Sequence, residues 1–577
     1  MRLPLPGWLR TYRRDWLAGD LTAGLIVTVL LIPQSLAYAM LAGLPPQAGL
    51  YASILPIVAY ALLGTSMSLA VGPVAVASLM TASLLQPLAP AGSPEYTVLA
   101  AQLALLSGLM LAAFGALRLG FLAHFLSHPV VSGFISGSAV LIAVGQLRHL
   151  LGVRAEGAGV VQTLIALWHA LPQTRPVTLA IGLGTLALLW VARRWLGTAL
   201  AALGMPRASA DLLARLAPMV AVIASIVLVE ALSLDRSHGV AVVGTVPQGL
   251  PVLSLPWPGA QTLADLWTPA LLISLVGFVE SVSVARALAL RRGAQAERIV
   301  PDRELLALGA ANLTAGACGG MPVTGGFARS VVNFAAGART PLAGIVSAAL
   351  MAIVIATMTG LLSSLPHAVL AATIIVAVTA LIDTETLREA WHYDRADALA
   401  LLATAGGVVL LGVEAGILLG VALSLGVLVW RSSHPHIAVI GRVPGSEHFR
   451  NVRRHAVQTV PGLLAIRVDE SLYFANASTF EERVEALVAQ DPAVRRVLLV
   501  CSAVNQIDTT ALGVLTRLER TLDGRGILLW LSEVKGPVMD RLTDTELGQR
   551  LRGRTFLSTH EAFVVASRDA APPTESP

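Results

Sequence analysis

The chain has 577 residues, 55% of them hydrophobic and only 13% charged, far below the roughly 25% charged residues of an ordinary soluble protein. That excludes a soluble globular protein and places the chain in a membrane. The formal charge of +5 comes from arginine clusters outside the apolar segments, so it reads as a topology signal, and no nucleic-acid partner is expected.

No Asp, Glu, Lys or Arg occurs between Asp20 and Glu95, and the next charge is Arg118; at about 20 apolar residues per crossing, the first stretch holds three spans. After a cytosolic segment 1–19, apolar runs predict spans near 20–42, 45–63, 68–87, 97–117, 121–147, 174–192, 213–233, 264–288, 303–319, 324–337, 341–361, 365–383, 395–411 and 413–430. Arg10, Arg13 and Arg14, Arg193 with Arg194, Arg291 with Arg292, and Arg431 onward mark the cytoplasmic side, whereas 151–173 and 234–263 hold few cations. Both termini are therefore expected inside, in the inner cell membrane. Beyond Arg431 charged residues become frequent. A linker 432–446 is expected to lead into a small cytosolic α/β domain, 447–568, with strand-length runs Leu463–Val468 and Val497–Val500 and helical segments near 479–489 and 509–522. Residues 569–577 read as a disordered tail.

Two breaks stand at comparable places seven spans apart: Val71-Gly72-Pro73-Val74-Ala75 in the third span, and Gly319-Gly320-Met321-Pro322-Val323-Thr324-Gly325-Gly326 before the tenth. Gly and Pro interrupt a membrane helix where the freed backbone is buried in protein or faces a wet cavity. Either break alone reads as a kink between tightly packed helices; a matched pair points to half-helices whose N-terminal ends converge near mid-membrane, which suits a small anion.

Arg329 follows the second break and is a candidate to hold that anion; the alternative is snorkelling or pairing with a carboxylate. Glu280 lies 15 residues after Asp265, roughly 20 Å along a helix. There it can take up and release a proton as the site opens to either side, or bind Na+ with Ser281 and Ser283; the alternative is a static ion pair with Arg329 or Arg286. Gln34, Ser35 and Tyr38 put polar groups on a first helix broken by Pro33. They line a pocket or satisfy backbone that Pro33 loosens, the latter being the reading preferred for Ser35.

Cys318 and Cys501 are too few and too separated for a disulfide framework or zinc site. No nucleophile–base set, phosphate-binding loop or metal-ligand spacing occurs, so no enzyme, resident metal or cofactor is expected, and transport must use an H+ or Na+ gradient.

With those segments in hand, the chain resembles the sulfate permease (SulP, solute carrier 26) family of anion transporters. The residues that carry the resemblance are Ile32-Pro33-Gln34-Ser35-Leu36-Ala37-Tyr38-Ala39, Gly64-Thr65-Ser66 through Ala75, Ser127-His128-Pro129-Val130-Val131-Ser132-Gly133-Phe134, Glu304 through Asn312, and Pro322 through Ser330. The resemblance implies about 14 transmembrane segments as two inverted seven-helix repeats, divided into core and gate domains, in an elevator-like homodimer. It implies a substrate pocket of Gln34, Tyr38, Val74, Ala75, Val76, Phe327, Ala328 and Arg329, with Glu280 at a proton or sodium position. Some relatives carry a hydroxyl where this chain has Ala328, so backbone N–H groups are expected to carry more of the coordination.

The C-terminal part is similar to the STAS domain, through Val504-Asn505-Gln506-Ile507-Asp508-Thr509-Thr510-Ala511-Leu512 and the segments Gly526–Leu529 and Val534–Val538. Asp508 is placed to cap the helix that begins there. Thr509 or Thr510 occupies the region phosphorylated in stand-alone relatives, and the analogy implies a regulatory site and a cytosolic protein partner; the alternative, preferred for the threonines themselves, is ordinary capping chemistry at a helix start. The reading from sequence is thus a cation-coupled symporter of sulfate, bicarbonate or a dicarboxylate. The alternatives are an anion exchanger, an anion-binding sensor signalling through the STAS domain, and a nucleobase carrier; the small Val74, Ala75 and Ala328 argue against the last.

Overall fold

The computed structural model describes residues 7–121, 127–155, 160–206, 210, 214, 216–292 and 297–570. The first six residues of the expected cytosolic segment, 122–126 of the expected fifth span and 571–577 of the expected tail lie outside them. The chain forms two compact units, Met1–Ser424 and Leu425–Pro577.

In the first half the elements run α1 (Leu17–Leu41), α2 (Pro46–Tyr51), α3 (Leu55–Leu63), β1 (Val71–Gly72), α4 (Ala75–Leu85), α5 (Pro94–Ala116), α6 (His128–Leu151), α7 (Val160–Ala170), α8 (Pro176–Val191) and α9 (Ala217–Leu232). The second half runs α10 (Ala260–Arg291), α11 (Pro301–Ala317), β2 (Thr324–Gly325), α12 (Phe327–Ala335), α13 (Leu342–Thr357), α14 (His367–Thr379), α15 (Thr384–Tyr393), α16 (Arg395–Leu411) and α17 (Val413–Ser433). Proline at the first turn opens many of these helices, where its missing N–H costs nothing. Each expected span overlaps at least one helix among the described residues. Seven helical stretches among the described residues are long and apolar enough to cross a membrane, and four shorter apolar helices accompany them, so the chain is a multi-pass membrane protein. Helix α7 falls inside 151–173, where no span was expected.

The order helix, shorter helix, strand, half-helix, long helix occurs in both halves, and antiparallel pairing of β1 with β2 gives the repeats opposite sense. Helices α1 to α5 pack with α10 to α13 as a core bundle, while α6, α8, α9, α14 and α16 form the gate bundle. Without a hydrophobic drive between helices in lipid, small residues set the approach. A Cβ on Gly108 would stand 2.8 Å from the Gly309 carbonyl oxygen, and one on Gly309 2.9 Å from that of Gly108, so α5 and α11 meet backbone to backbone.

The second unit carries a six-stranded sheet built from β3 (Ile437–Arg442), β4 (Phe449–Asn451), β5 (Leu463–Val468), β6 (Arg496–Val500), β7 (Leu528–Ser532) and β8 (Thr555–Phe556), in the order β4-β3-β5-β6-β7-β8. The pairs from β5 to β8 are parallel, and β3 lies antiparallel to both β4 and β5. Strand β3 corrects the expected linker 432–446: Ala438 and Ile440 alternate inward and the strand pairs with β5, so the sheet begins ten residues before 447. Helices α18 (Ala477–Gln490) and α19 (Thr509–Gly524) cover one face through Phe480, Val484, Leu515 and Leu518. Ala562 and Phe563 pack on the other face against Leu498 and Trp530. Cys501 lies buried in this unit, where desolvation pushes its thiol up to about 12, so it stays protonated and inert.

Candidate functional site

The two breaks are joined. Val71 pairs with Gly325 and Gly72 with Thr324; the Gly326 N–H donates to the Ala70 carbonyl at 3.2 Å, and the Ala70 N–H donates to Ser330 Oγ at 2.9 Å. Asn333 Nδ2 adds a bond to the Ser68 carbonyl at 3.0 Å. From this ribbon the chain enters α4 after Val74 and α12 after Gly326, and neither N-cap residue offers a side-chain acceptor. The first-turn N–H groups of Ala75, Val76 and Ala77, and of Phe327, Ala328 and Arg329, make no hydrogen bond among the described residues. Two uncapped helix starts, each with partial positive charge, thus flank one ribbon.

Arg329 sits at this junction, 4% exposed. Its Nη2 donates to the Pro73 carbonyl at 3.3 Å, while Nε and Nη1 are buried without a partner. Gly72 makes room for it: its φ is +152°, and a Cβ there would stand 3.1 Å from Nη1. No carboxylate pairs with Arg329 among the described residues, so neither alternative weighed for it, snorkelling or ion pairing, is realised. A buried guanidinium with unmet donors is the electrostatic complement of an anion.

Gln34 and Tyr38, one helical turn apart, are the half-buried positions on an otherwise buried stretch of α1. The Tyr38 phenol lies within electrostatic reach of both Arg329 and Glu280. Val74, Ala75 and Val76 are buried, whereas Phe327 is 43% exposed and Ala328 is open, so the second helix start forms the accessible wall. Ser35 departs from its expected role: its hydroxyl meets Ser53 Oγ at 2.7 Å, joining α1 to the chain after α2.

Glu280 on α10 faces an apolar pocket lined by Val130, Val131, Phe134 and Ile135 of α6 together with Val276 and Val279. It forms no ion pair with Arg329 or Arg286 among the described residues. The hydroxyl facing it is that of Thr324 in β2, and both Glu280 Oε2 and Thr324 Oγ1 are buried without hydrogen bonds. Ser281 is committed elsewhere: its hydroxyl donates to the Gly277 carbonyl at 2.6 Å and accepts from the Gly325 N–H at 2.9 Å, holding the second break in place. Ser283 is exposed on α10. Helical spacing puts both serines near Glu280 along the chain, but which oxygen faces the carboxyl is decided by the neighbouring break.

Asn312 is a supporting residue that sequence reasoning did not single out. Its Oδ1 accepts from the Val323 N–H and its Nδ2 donates to the Val323 carbonyl, both at 2.9 Å, so the residue just before β2 is satisfied by a side chain. Asn312→Leu is expected to strand two buried backbone groups at about 1–3 kcal/mol each, seen as a lower melting temperature of purified protein together with lost transport.

In the second unit Asp508 caps α19 as expected: Oδ1 accepts from the Ala511 N–H at 2.8 Å and Oδ2 from the Phe474 N–H at 2.9 Å. Asp508→Ala should cost about 1 kcal/mol for the cap and about another 1 kcal/mol for the second bond; limited proteolysis of the full chain should show faster cleavage within 474–512. Thr509 and Thr510 are both exposed beside it.

The profile described as the sulfate permease family matches residues 17–404, and that of the STAS domain matches 454–562. A probable sulfate transporter of Mycobacterium tuberculosis is 38% identical over 561 residues, covering 97% of both chains. Sulfate transporter 2.1 of Arabidopsis thaliana is 34% identical over 580 residues, covering 97% of this chain and 84% of its own. Among solved structures, the murine Solute Carrier 26 family member A9 anion transporter, in the inward-facing state, matches with TM-score 0.86 at 23% identity, over 98% of this chain and 94% of that one. The transmembrane domain of the cyanobacterial bicarbonate transporter BicA matches with TM-score 0.59 at 26% identity, over 71% of this chain and 98% of that one.

Proposed function

The chain belongs to the sulfate permease family, and on that basis we propose that it moves a small oxyanion across the inner cell membrane by secondary active transport. The observation that carries this reading is the pair of uncapped helix starts joined by the β1–β2 ribbon, with the unmet donors of Arg329 between them. The names of the relatives put sulfate first among the substrates to test and bicarbonate next, and dicarboxylates follow as compact anions that a helix-end site can hold. In this proposal Gln34 and Tyr38 close the pocket from α1, the first turns of α4 and α12 supply backbone N–H groups, and Arg329 supplies the fixed charge.

Glu280 is the proposed coupling group. A carboxyl facing an apolar seam and one free hydroxyl suits protonation; with the Thr324 oxygen it also offers the beginning of a Na+ site. The seam it faces is lined by apolar residues of the gate helix α6, a surface with few directional bonds to break, which supports sliding of the core past the gate in an elevator motion. Both termini in the cytoplasm, a homodimer and a cytosolic protein partner at the STAS domain complete the proposal, with exposed Thr509 and Thr510 as its accessible hydroxyls.

The test is uptake of labelled sulfate, bicarbonate and fumarate into proteoliposomes under imposed proton or sodium gradients. Concentrative uptake of one anion driven by one cation supports symport; flux that needs a trans anion instead marks an exchanger. Binding without flux would reduce the protein to a sensor.

A further inference from the structure

The gate bundle contains a second concentration of positive charge, away from the cradle. A cavity of about 440 Å³ opens at the end of α6 against the starts of α8 and α14; Arg148, Arg154 and Arg175 line it with His149, His367 and Thr178, and no Asp or Glu lines it among the described residues. None of the three arginines has an ion-pair partner among the described residues. Arg148 Nε meets His149 Nε2 at 3.3 Å, Arg175 Nη1 donates to the Gly239 carbonyl, and the two imidazoles stand edge to face with centroids 5.9 Å apart. The Arg175 N–H donates to the Leu151 carbonyl at 3.0 Å, so the start of α8 is held against the end of α6. The partial positive ends of α8 and α14 point the same way.

This face carries the 151–173 and 234–263 connections, where topology disfavours arginine. Three arginines lining one cavity with no carboxylate among the described residues repel one another unless an anion or water separates them. The cavity shares no residue with the cradle around Arg329.

We propose that this cavity is a second anion site, taking a small oxyanion of the sulfate or phosphate type from the face opposite the termini. Arg148, Arg154 and Arg175 hold its charge, and Thr178 is within the same cavity to donate to it. Occupancy here needs no transport, so it can be tested apart from the cradle.

The experiment uses the full chain in neutral-lipid nanodiscs, treated with phenylglyoxal in sodium sulfate or in sodium chloride of equal ionic strength, with arginine modification read by peptide mass spectrometry. Arg154 and Arg175 are exposed and react; Arg236, exposed near Asp235, is the control. Sulfate at about ten times its midpoint should slow modification of Arg154 and Arg175 about tenfold and leave Arg236 unchanged. Arg148→Gln should remove most of that protection, and Arg154→Gln, altered at an exposed position, should weaken protection of Arg175 even if the first variant folds poorly. Arg329→Gln should keep the protection in full. Absence of sulfate protection in the unaltered protein, or its loss in Arg329→Gln, overturns the proposal. If anionic lipid alone protects and sulfate adds nothing, the occupant is a lipid headgroup and the oxyanion site is likewise refuted.

Discussion

Arg329→Gln is expected to abolish anion uptake in proteoliposomes while leaving the protein as stable as before, or more so. Glutamine keeps a hydrogen-bonding group but removes the charge and the two donors, Nε and Nη1, that are buried without partners. Charge-assisted bonds contribute about 1.5–3 kcal/mol each, and losing two corresponds to roughly a hundredfold or greater loss of affinity. A residue kept only for structure would behave oppositely, because breaking a satisfied buried pair destabilises by about 3–5 kcal/mol. Uptake and thermal melting measured together therefore separate the roles: near-normal uptake, or a collapse of stability with it, would remove Arg329 from the anion site.

Glu280→Gln is expected to separate flux from coupling. A proton gradient of one pH unit is worth about 1.4 kcal/mol, or tenfold accumulation per proton carried. With a side chain that cannot titrate, accumulation should fall to the equilibrium ratio while exchange of labelled for unlabelled anion continues. Thr324→Val, run beside it, distinguishes the cations: loss of the hydroxyl facing Glu280 should abolish sodium drive and spare proton drive. Full gradient-driven accumulation in Glu280→Gln would place the coupling site elsewhere.

Much of this was legible in the chain. Hydropathy located the spans because the bilayer imposes a length on every crossing, and the Gly and Pro breaks were visible as departures from it. What hydropathy does not encode is which helix faces which. Ser281 and Ser283 both stand beside Glu280 in sequence, yet one is occupied with Gly325 and the other is exposed, while Thr324, 44 positions along, supplies the facing hydroxyl. Strand β3 escaped because His434-Pro435-His436 reads as a linker and the alternation that follows is only six residues long. Asn312 escaped because an Asn on an apolar helix reads as a tolerated polar residue until Val323 is seen folded back onto it.

The ribbon between the breaks also bears on how the protein is made. Val71 and its partner Gly325 are separated by 325 − 71 = 254 residues, which at typical synthesis rates of about 5–20 residues per second is a delay of roughly 13–50 seconds. Throughout that interval β1 stands without the strand that pairs it, and its unmet backbone groups have to be held by protein or water, because lipid offers them no partner. The two halves of the site are therefore completed together, once the second repeat has been made.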